Sequence, residues 1–251
     1  EELMIDRIEI NAKAVELRKQ LGEDENSYID IFALATQIKD LTLMLYPMGD
    51  NSSGICIKNE GANLIAINSE MSYGRQRYSL AHELYHLFYD SSDGISISAK
   101  SFEDKNENEI IADWFASYFL APYNALRFAI QKKNTDPLTM RDIISLEQSF
   151  GISHQAMLFR LFQEGYINRV TYDSMSSGVM YCAKQYGYDD SLYLPLSEDK
   201  QKRTYGNYIV QAEELRNRNI ISQGKYEELL IDAFRYDIVY GEDEIGGEIN
   251  D

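Results

Sequence analysis

Two of the three histidines in this 251-residue chain stand in the word His82-Glu83-Leu84-Tyr85-His86. On an α-helix, positions i and i+4 lie one turn apart on the same face, so both imidazoles can reach a single ion. Glu83 lies about 100° further round the helix, where a carboxylate can act on a water beside that ion without displacing it. Two imidazoles and a carboxylate suit zinc, which accepts both donor types and keeps a fourth position open in its catalytic sites. The chemistry predicted is amide hydrolysis, with Glu83 taking a proton from water and delivering it to the leaving amine.

The word supplies two ligands, so a third must come from elsewhere, and with one histidine left a carboxylate is favoured. Glu109 opens Glu109-Ile110-Ile111-Ala112-Asp113, an E-x-x-x-D pair sharing one helix face. Glu109 is the expected third ligand, and Asp113 is expected to accept the N–H of a ligand histidine. Glu103, Asp104 and Glu107 compete for the ligand role, and a solvated first-turn residue is the plainer account of Glu109.

The elements that must position these groups read as α+β. Helical spacing predicts a helix over 5–21 and a shorter one over 28–38. Strand-like runs follow at 41–46, 53–57 and 63–67, the last two flanking Asn59-Glu60-Gly61 as a hairpin. The word's helix is expected from Tyr78 or Ser79 to about Phe88, and a mobile polar loop from Asp90 to Asn106. A strong helix spans 107–120 and is closed by Ala121-Pro122; its Trp114, Phe115 and Phe119 have core spacing.

Beyond residue 130 the chain reads as all-helical. A helix over 139–150 ends at Gly151 and a second follows Ser153, an arrangement with helix-turn-helix spacing. Further helices are expected at 172–186, 198–217 and 223–236, then a fraying acidic end from Gly241. The division expected is 1–130, 131–170 and 171–251. His154 is expected to be exposed, Arg75 and Arg77 solvated or paired with acids, and the 63–67 strand is a candidate for edge pairing with an extended peptide.

With 24 basic and 41 acidic residues the net charge is −17. Such a surface repels nucleic acid and anionic membranes, whereas it attracts a basic partner such as a DNA-binding protein. The most apolar stretch, 110–130, is broken by Asp113, Pro122 and Arg127, so no membrane span is expected. Cys56 and Cys182 are isolated thiols and no basic leader precedes an apolar run, which leads to the expectation of a cytoplasmic protein.

The words Arg77-Tyr78-Ser79-Leu80-Ala81-His82-Glu83-Leu84-Tyr85-His86 and Glu109-x-x-Ala112-Asp113-x-Phe115-Ala116-x-x-Phe119-Leu120-Ala121-Pro122 resemble the ImmA/IrrE family of zinc metallopeptidases. So do Ser53-Gly54, Ile65-x-Ile67-Asn68 and Phe150-Gly151-Ile152-Ser153…Arg160-Leu161, in the family's order over roughly residues 10 to 170. The resemblance implies a zincin-like domain with a small antiparallel sheet, followed by a helix-turn-helix-like helical region. It implies a zinc site of His82, His86 and Glu109 with Glu83 as base, and a helix-turn-helix transcriptional repressor as the substrate whose cleavage derepresses genes. Tyr85 stands where the family usually has glycine, Ile111 where an acid is frequent, and Ala121 where methionine is usual. The alternatives are a zinc protease with another substrate and a metal-bound, non-catalytic antirepressor.

Overall fold

Asp6 opens the first helix by accepting hydrogen bonds from the backbone of Ile8 and Glu9, and that helix (α1, Arg7–Gln20) buries Ile10, Ala14 and Leu17 along one stripe. The structure, a computed structural model, describes residues 6–90, 94–99, 106–133 and 135–241. After a short helix (α2, Ile31–Thr36) come β1 (Leu41–Tyr46), β2 (Ser52–Lys58) and β3 (Asn63–Asn68), then α3 (Tyr73–Tyr89), β4 (Gly94–Ala99), α4 (Glu107–Leu120) and α5 (Tyr123–Gln131). The later elements are α6 (Met140–Phe150), α7 (His154–Gln163), α8 (Arg169–Met175), α9 (Val179–Gln185), β5 (Arg203–Gly206), α10 (Asn207–Asn217), α11 (Gln223–Asp232) and α12 (Tyr236–Tyr240).

The five strands form one sheet in the order β4-β2-β3-β1-β5. Leu41, Leu43 and Leu45 alternate inward along β1, the period-two burial of a strand with one core face. The sheet is mixed rather than purely antiparallel, because β3 slots between its hairpin partner β2 and the more distant β1, which it meets in parallel. That places β3 in the interior with both edges paired, so the 63–67 strand has no edge to offer a peptide. The free edge beside the metal word belongs to β4, which among the described residues pairs only with β2. Its Ile95 and Ile97 face outward while Ser98 is buried. This Ile/Ser alternation lies within the stretch expected to be a loop; residues 91–93 and 100–105 lie outside the described residues. At the other edge, β5 runs antiparallel to β1, a strand inside the stretch expected to be all-helical. The expected 172–186 helix is two, broken at Ser176-Ser177-Gly178, and that at 223–236 ends at Asp232. The expected fraying end, apart from Gly241, lies outside the described residues.

The long helix α3 begins at Tyr73, more than a turn before the expected start, with Ser72 as its N-cap. Its first turns are polar in sequence but buried in the fold. Arg77, which sequence placed in solvent or on an acid, is fully buried and donates to the carbonyls of Gly151 and Ile29 and to the Tyr28 hydroxyl. It ties α3 to the α6–α7 turn, where Gly151 has φ +62° and a Cβ would come within 2.6 Å of the Arg77 guanidinium. No helix among the described residues is long and apolar enough to cross a membrane.

His154 is buried, not exposed as its place at a helix start suggested. Its Nδ1 lies 2.6 Å from Glu147 Oε1 and its Nε2 2.7 Å from the Met175 carbonyl. Both partners are acceptors, so the ring donates from both nitrogens as an imidazolium. Burial works against that charge, but Glu147 and the carbonyl overcome it and raise the pKa above its ordinary 6.5. A folded-state pKa above the unfolded one gives stability that is complete below about pH 6.5 and lost as pH rises through the raised value. Denaturant melts of His154→Gln are therefore expected to show a deficit of about 1–3 kcal/mol at pH 6 that narrows as the pH is raised through the folded-state value. A deficit constant with pH would exclude the ion pair.

Candidate metal centre

The first two expected ligands lie on α3, which packs against both the sheet and α4. His82 and His86 are 4 % and 2 % exposed, and their Nε2 atoms lie 3.1 Å apart. Across the cleft, Glu109 stands in the first turn of α4, where Asn106 caps its backbone N–H. One Glu109 oxygen is 3.2 Å from His82 Nε2 and the other 3.3 Å from His86 Nε2. These three donor groups lie within 4.8 Å of one another, an arrangement able to hold a metal ion. The spacing suits zinc, since donors about 2.0–2.2 Å from a tetrahedral ion stand about 3.3 Å from each other. Of the competing carboxylates, Glu107 points to solvent, and Glu103 and Asp104 lie outside the described residues.

The far side of each ring is fixed by its own carboxylate. His82 Nδ1 is 3.0 Å from Asp113 Oδ1. His86 Nδ1 is 2.8 Å from Asp90 Oδ2, a partner that sequence reasoning missed. The signal is present, since Asp90 stands four residues after His86, one further turn along the same face, but the polar stretch that it opens reads as a loop. Asn108 donates to the other Asp90 oxygen and accepts from the Tyr85 hydroxyl. Tyr85 itself packs against Tyr89 and Phe115, so the ring that replaces the family glycine braces this chain of hydrogen bonds. An aspartate beside each Nδ1 favours the form that carries its N–H there, and in the neutral rings that form turns both Nε2 lone pairs into the cleft beside the Glu109 carboxylate.

The electrostatics describe a socket for positive charge. Burial disfavours an imidazolium at His82, yet Asp113 and Glu109 raise its pKa to about 9. At Glu109 burial favours the neutral acid, and the two histidines overcome it, holding the carboxyl well below its usual range. Burial, reinforced by the nearby Glu83, pushes the Cys56 thiol up to about 12.

Glu83 is fully buried, and neither carboxylate oxygen has a hydrogen-bond partner among the described residues. Burial raises its pKa, with the nearby His82 acting in the opposite sense. Room for it comes from Gly54 on β2, where a Cβ would stand 2.5 Å from Glu83 Oε1. Of the tyrosines near in sequence, Tyr78 and Tyr89 donate to backbone carbonyls of Asp113 and Lys13, away from the cleft.

A search of curated proteins returns no match. Among solved structures, a Mycobacterium tuberculosis transcriptional regulator aligns with a TM-score of 0.40 at 14 % identity. The alignment covers 62 % of this chain and 46 % of that one, so the chain spans less than half the length of that structure. The family model of the IrrE N-terminal-like domain matches residues 29–162, more than half of the 251 positions and all of the metal-ligand candidates, and the chain belongs to that family, the M78 peptidases.

Proposed function

We propose that this protein is a zinc-dependent endopeptidase of the cytoplasm that cuts one peptide bond in a helix-turn-helix transcriptional repressor and so derepresses genes. The observation that carries the reading is the pair of aspartate-held rings whose free nitrogens converge on Glu109. Three such donor atoms stand this close only around shared positive charge, supplied by protons on the rings or by a divalent ion that displaces them. His82, His86 and Glu109 hold that cation, and Asp113 and Asp90 keep the rings in the ligating tautomer. When bound, zinc polarises the scissile carbonyl and makes water acidic enough to attack near neutral pH. Glu83, unpartnered at the floor of the cleft, accepts the proton of the attacking water on a carboxylate oxygen and passes it to the departing amine.

The free edge of β4 lies beside this cleft, since Gly94, Ile95 and Ser96 share a hollow with His86 and Asp90. An extended substrate segment adds to it as a further strand, which presents its carbonyls in register with the cleft. The repressor substrate rests on the family resemblance, and the net charge of −17 favours encounter with a basic DNA-binding protein.

Purified protein incubated with a helix-turn-helix regulator encoded beside it is expected to cut that regulator once. A chelator should stop the cut and added zinc restore it. An uncut regulator under zinc-replete conditions, with casein or other unrelated proteins cleaved instead, removes the repressor from the proposal. Gly54→Ala offers a second check. The added methyl displaces the Glu83 carboxylate, and turnover should fall about 10-fold or more with zinc content unchanged; undiminished turnover would show that Glu83 needs no fixed position.

A further inference from the structure

Arg75 and Arg77 stand one residue apart in the first turns of α3 but meet opposite surroundings. Arg77 and Arg18 are fully buried, and each guanidinium is taken up by backbone carbonyls: Gly151 and Ile29 for Arg77, and Asp24, Ser27 and Phe119 for Arg18. Arg75 is half-buried, yet its side chain meets no hydrogen-bond or ionic partner among the described residues. Burial alone lowers its pKa, and no carboxylate acts against it, although the chain carries 41 acids. A cation partly stripped of water and given no acceptor in return destabilises the fold until an anion reaches it.

Helix phase gives its direction. Successive residues of an α-helix turn by about 100°, so Arg75 falls about 20° from His82 and about 20° from His86, between the two on one stripe of α3. It stands two turns, or about 10 Å, from His82 toward the start of the helix. The face that carries the metal ligands therefore continues to an unsatisfied guanidinium.

β4 follows the same line. Gly94 and Ser96 share a hollow with Asp90 and His86, and Ser98 pairs with Gly54, which abuts Glu83. The strand thus runs along α3 from its end toward its start, antiparallel to it. A segment joined antiparallel to the free edge of β4, the more stable pairing, runs in the direction of α3. At about 3.3 Å per residue, the residue level with Arg75 comes about three positions before the one over the metal.

We propose that Arg75 is a specificity residue that receives the carboxylate of an Asp or Glu about three residues N-terminal to the substrate's scissile bond. The inference rests on the peptidase reading of the metal centre. The planar guanidinium meets a carboxylate through two parallel hydrogen bonds. An acid placed elsewhere in the substrate meets instead the field of a chain with net charge −17, which sharpens the choice of position.

The zinc-loaded full chain is incubated with peptides from a digested whole-cell proteome and with the helix-turn-helix regulator encoded beside it, and the cuts are located by mass spectrometry. Asp or Glu is expected two to four positions before the cut, enriched at least 5-fold among the peptides and present in the regulator. In a synthetic peptide of the preferred sequence, the amide in place of that acid should raise KM at least about 10-fold and leave kcat nearly unchanged, the behaviour of a contact made equally in ground and transition states. Arg75→Met keeps the apolar stem; it should erase the preference with zinc content unchanged and the melting temperature equal or higher. Arg75→Glu should transfer the preference to Lys and Arg, which a merely structural arginine would not do. Cleavage without an acid at that place, or an acid preference that survives Arg75→Met or Arg75→Glu, overturns this inference and leaves the peptidase reading standing. No cut in either the peptides or the regulator defeats both.

Discussion

Glu83→Gln is expected to lower peptide-bond cleavage by about 10²–10⁴-fold, the range for removing a general base, while zinc content and partner binding stay at the level of the unaltered protein. The amide keeps the shape of the side chain, so nothing in the cleft should move. The same substitution should also stabilise the fold. Glu83 is buried with both oxygens unpartnered, and an ionised group so placed costs more than a neutral amide of equal size. A gain of about 1 kcal/mol would raise the melting temperature of a chain this long by about 2–4 °C. Loss of activity coupled to a gain in stability is the signature of a residue held in place for chemistry. A variant that still relieves repression in full points instead to a non-catalytic antirepressor, and one that loses both activity and stability makes Glu83 a structural residue.

Much of the site could be read in the sequence because its parts obey helical spacing. His82 and His86, and again Glu109 and Asp113, are four apart, so each pair had to share a face once a helix formed. What sequence could not give is which faces meet, and that is settled by α3 packing on α4 under the sheet. Asp90 shows the limit well. It obeys the same spacing from His86, but a Ser/Asp-rich stretch follows it, and composition outweighed geometry. Only β4 and β5 run against the sequence reading, and for a related reason. β4 turns its isoleucines outward and its serines inward, against the usual pattern, and β5 is four residues long with only Thr204 buried. His154 and Arg77 were misplaced because hydropathy treats a charged side chain as solvated. Here Arg77 is buried against acceptors from distant parts of the chain, and His154 against Glu147 across the α6–α7 turn and the Met175 carbonyl, pairings that only the packed helices create.

Glu109→Ala should bring the largest loss of metal, with zinc affinity down about 10²–10³-fold, roughly one ligand's share of a structural-strength site. Its oxygens are the only carboxylate atoms among the described residues that stand near both Nε2 atoms, at 3.2 and 3.3 Å. Removing them leaves two imidazoles, which bind a divalent ion weakly and with no fixed third direction. Asp113→Asn and Asp90→Asn act one step further out. Each leaves the three donors intact and loosens one ring, so a smaller loss of about 10–100-fold is expected. The order matters more than the sizes. If the three carboxylates held the rings only as hydrogen-bonded packing, with no ion, the alanine and the two asparagines would change melting temperature and leave zinc stoichiometry untouched. If Glu107 were the true ligand, Glu107→Ala would lose zinc and Glu109→Ala would keep it. Competition with a chromogenic chelator ranks all four variants in one measurement, and only the sequence Glu109, then Asp113 and Asp90, then an unaffected Glu107 is compatible with two rings and one carboxylate closing on the same ion.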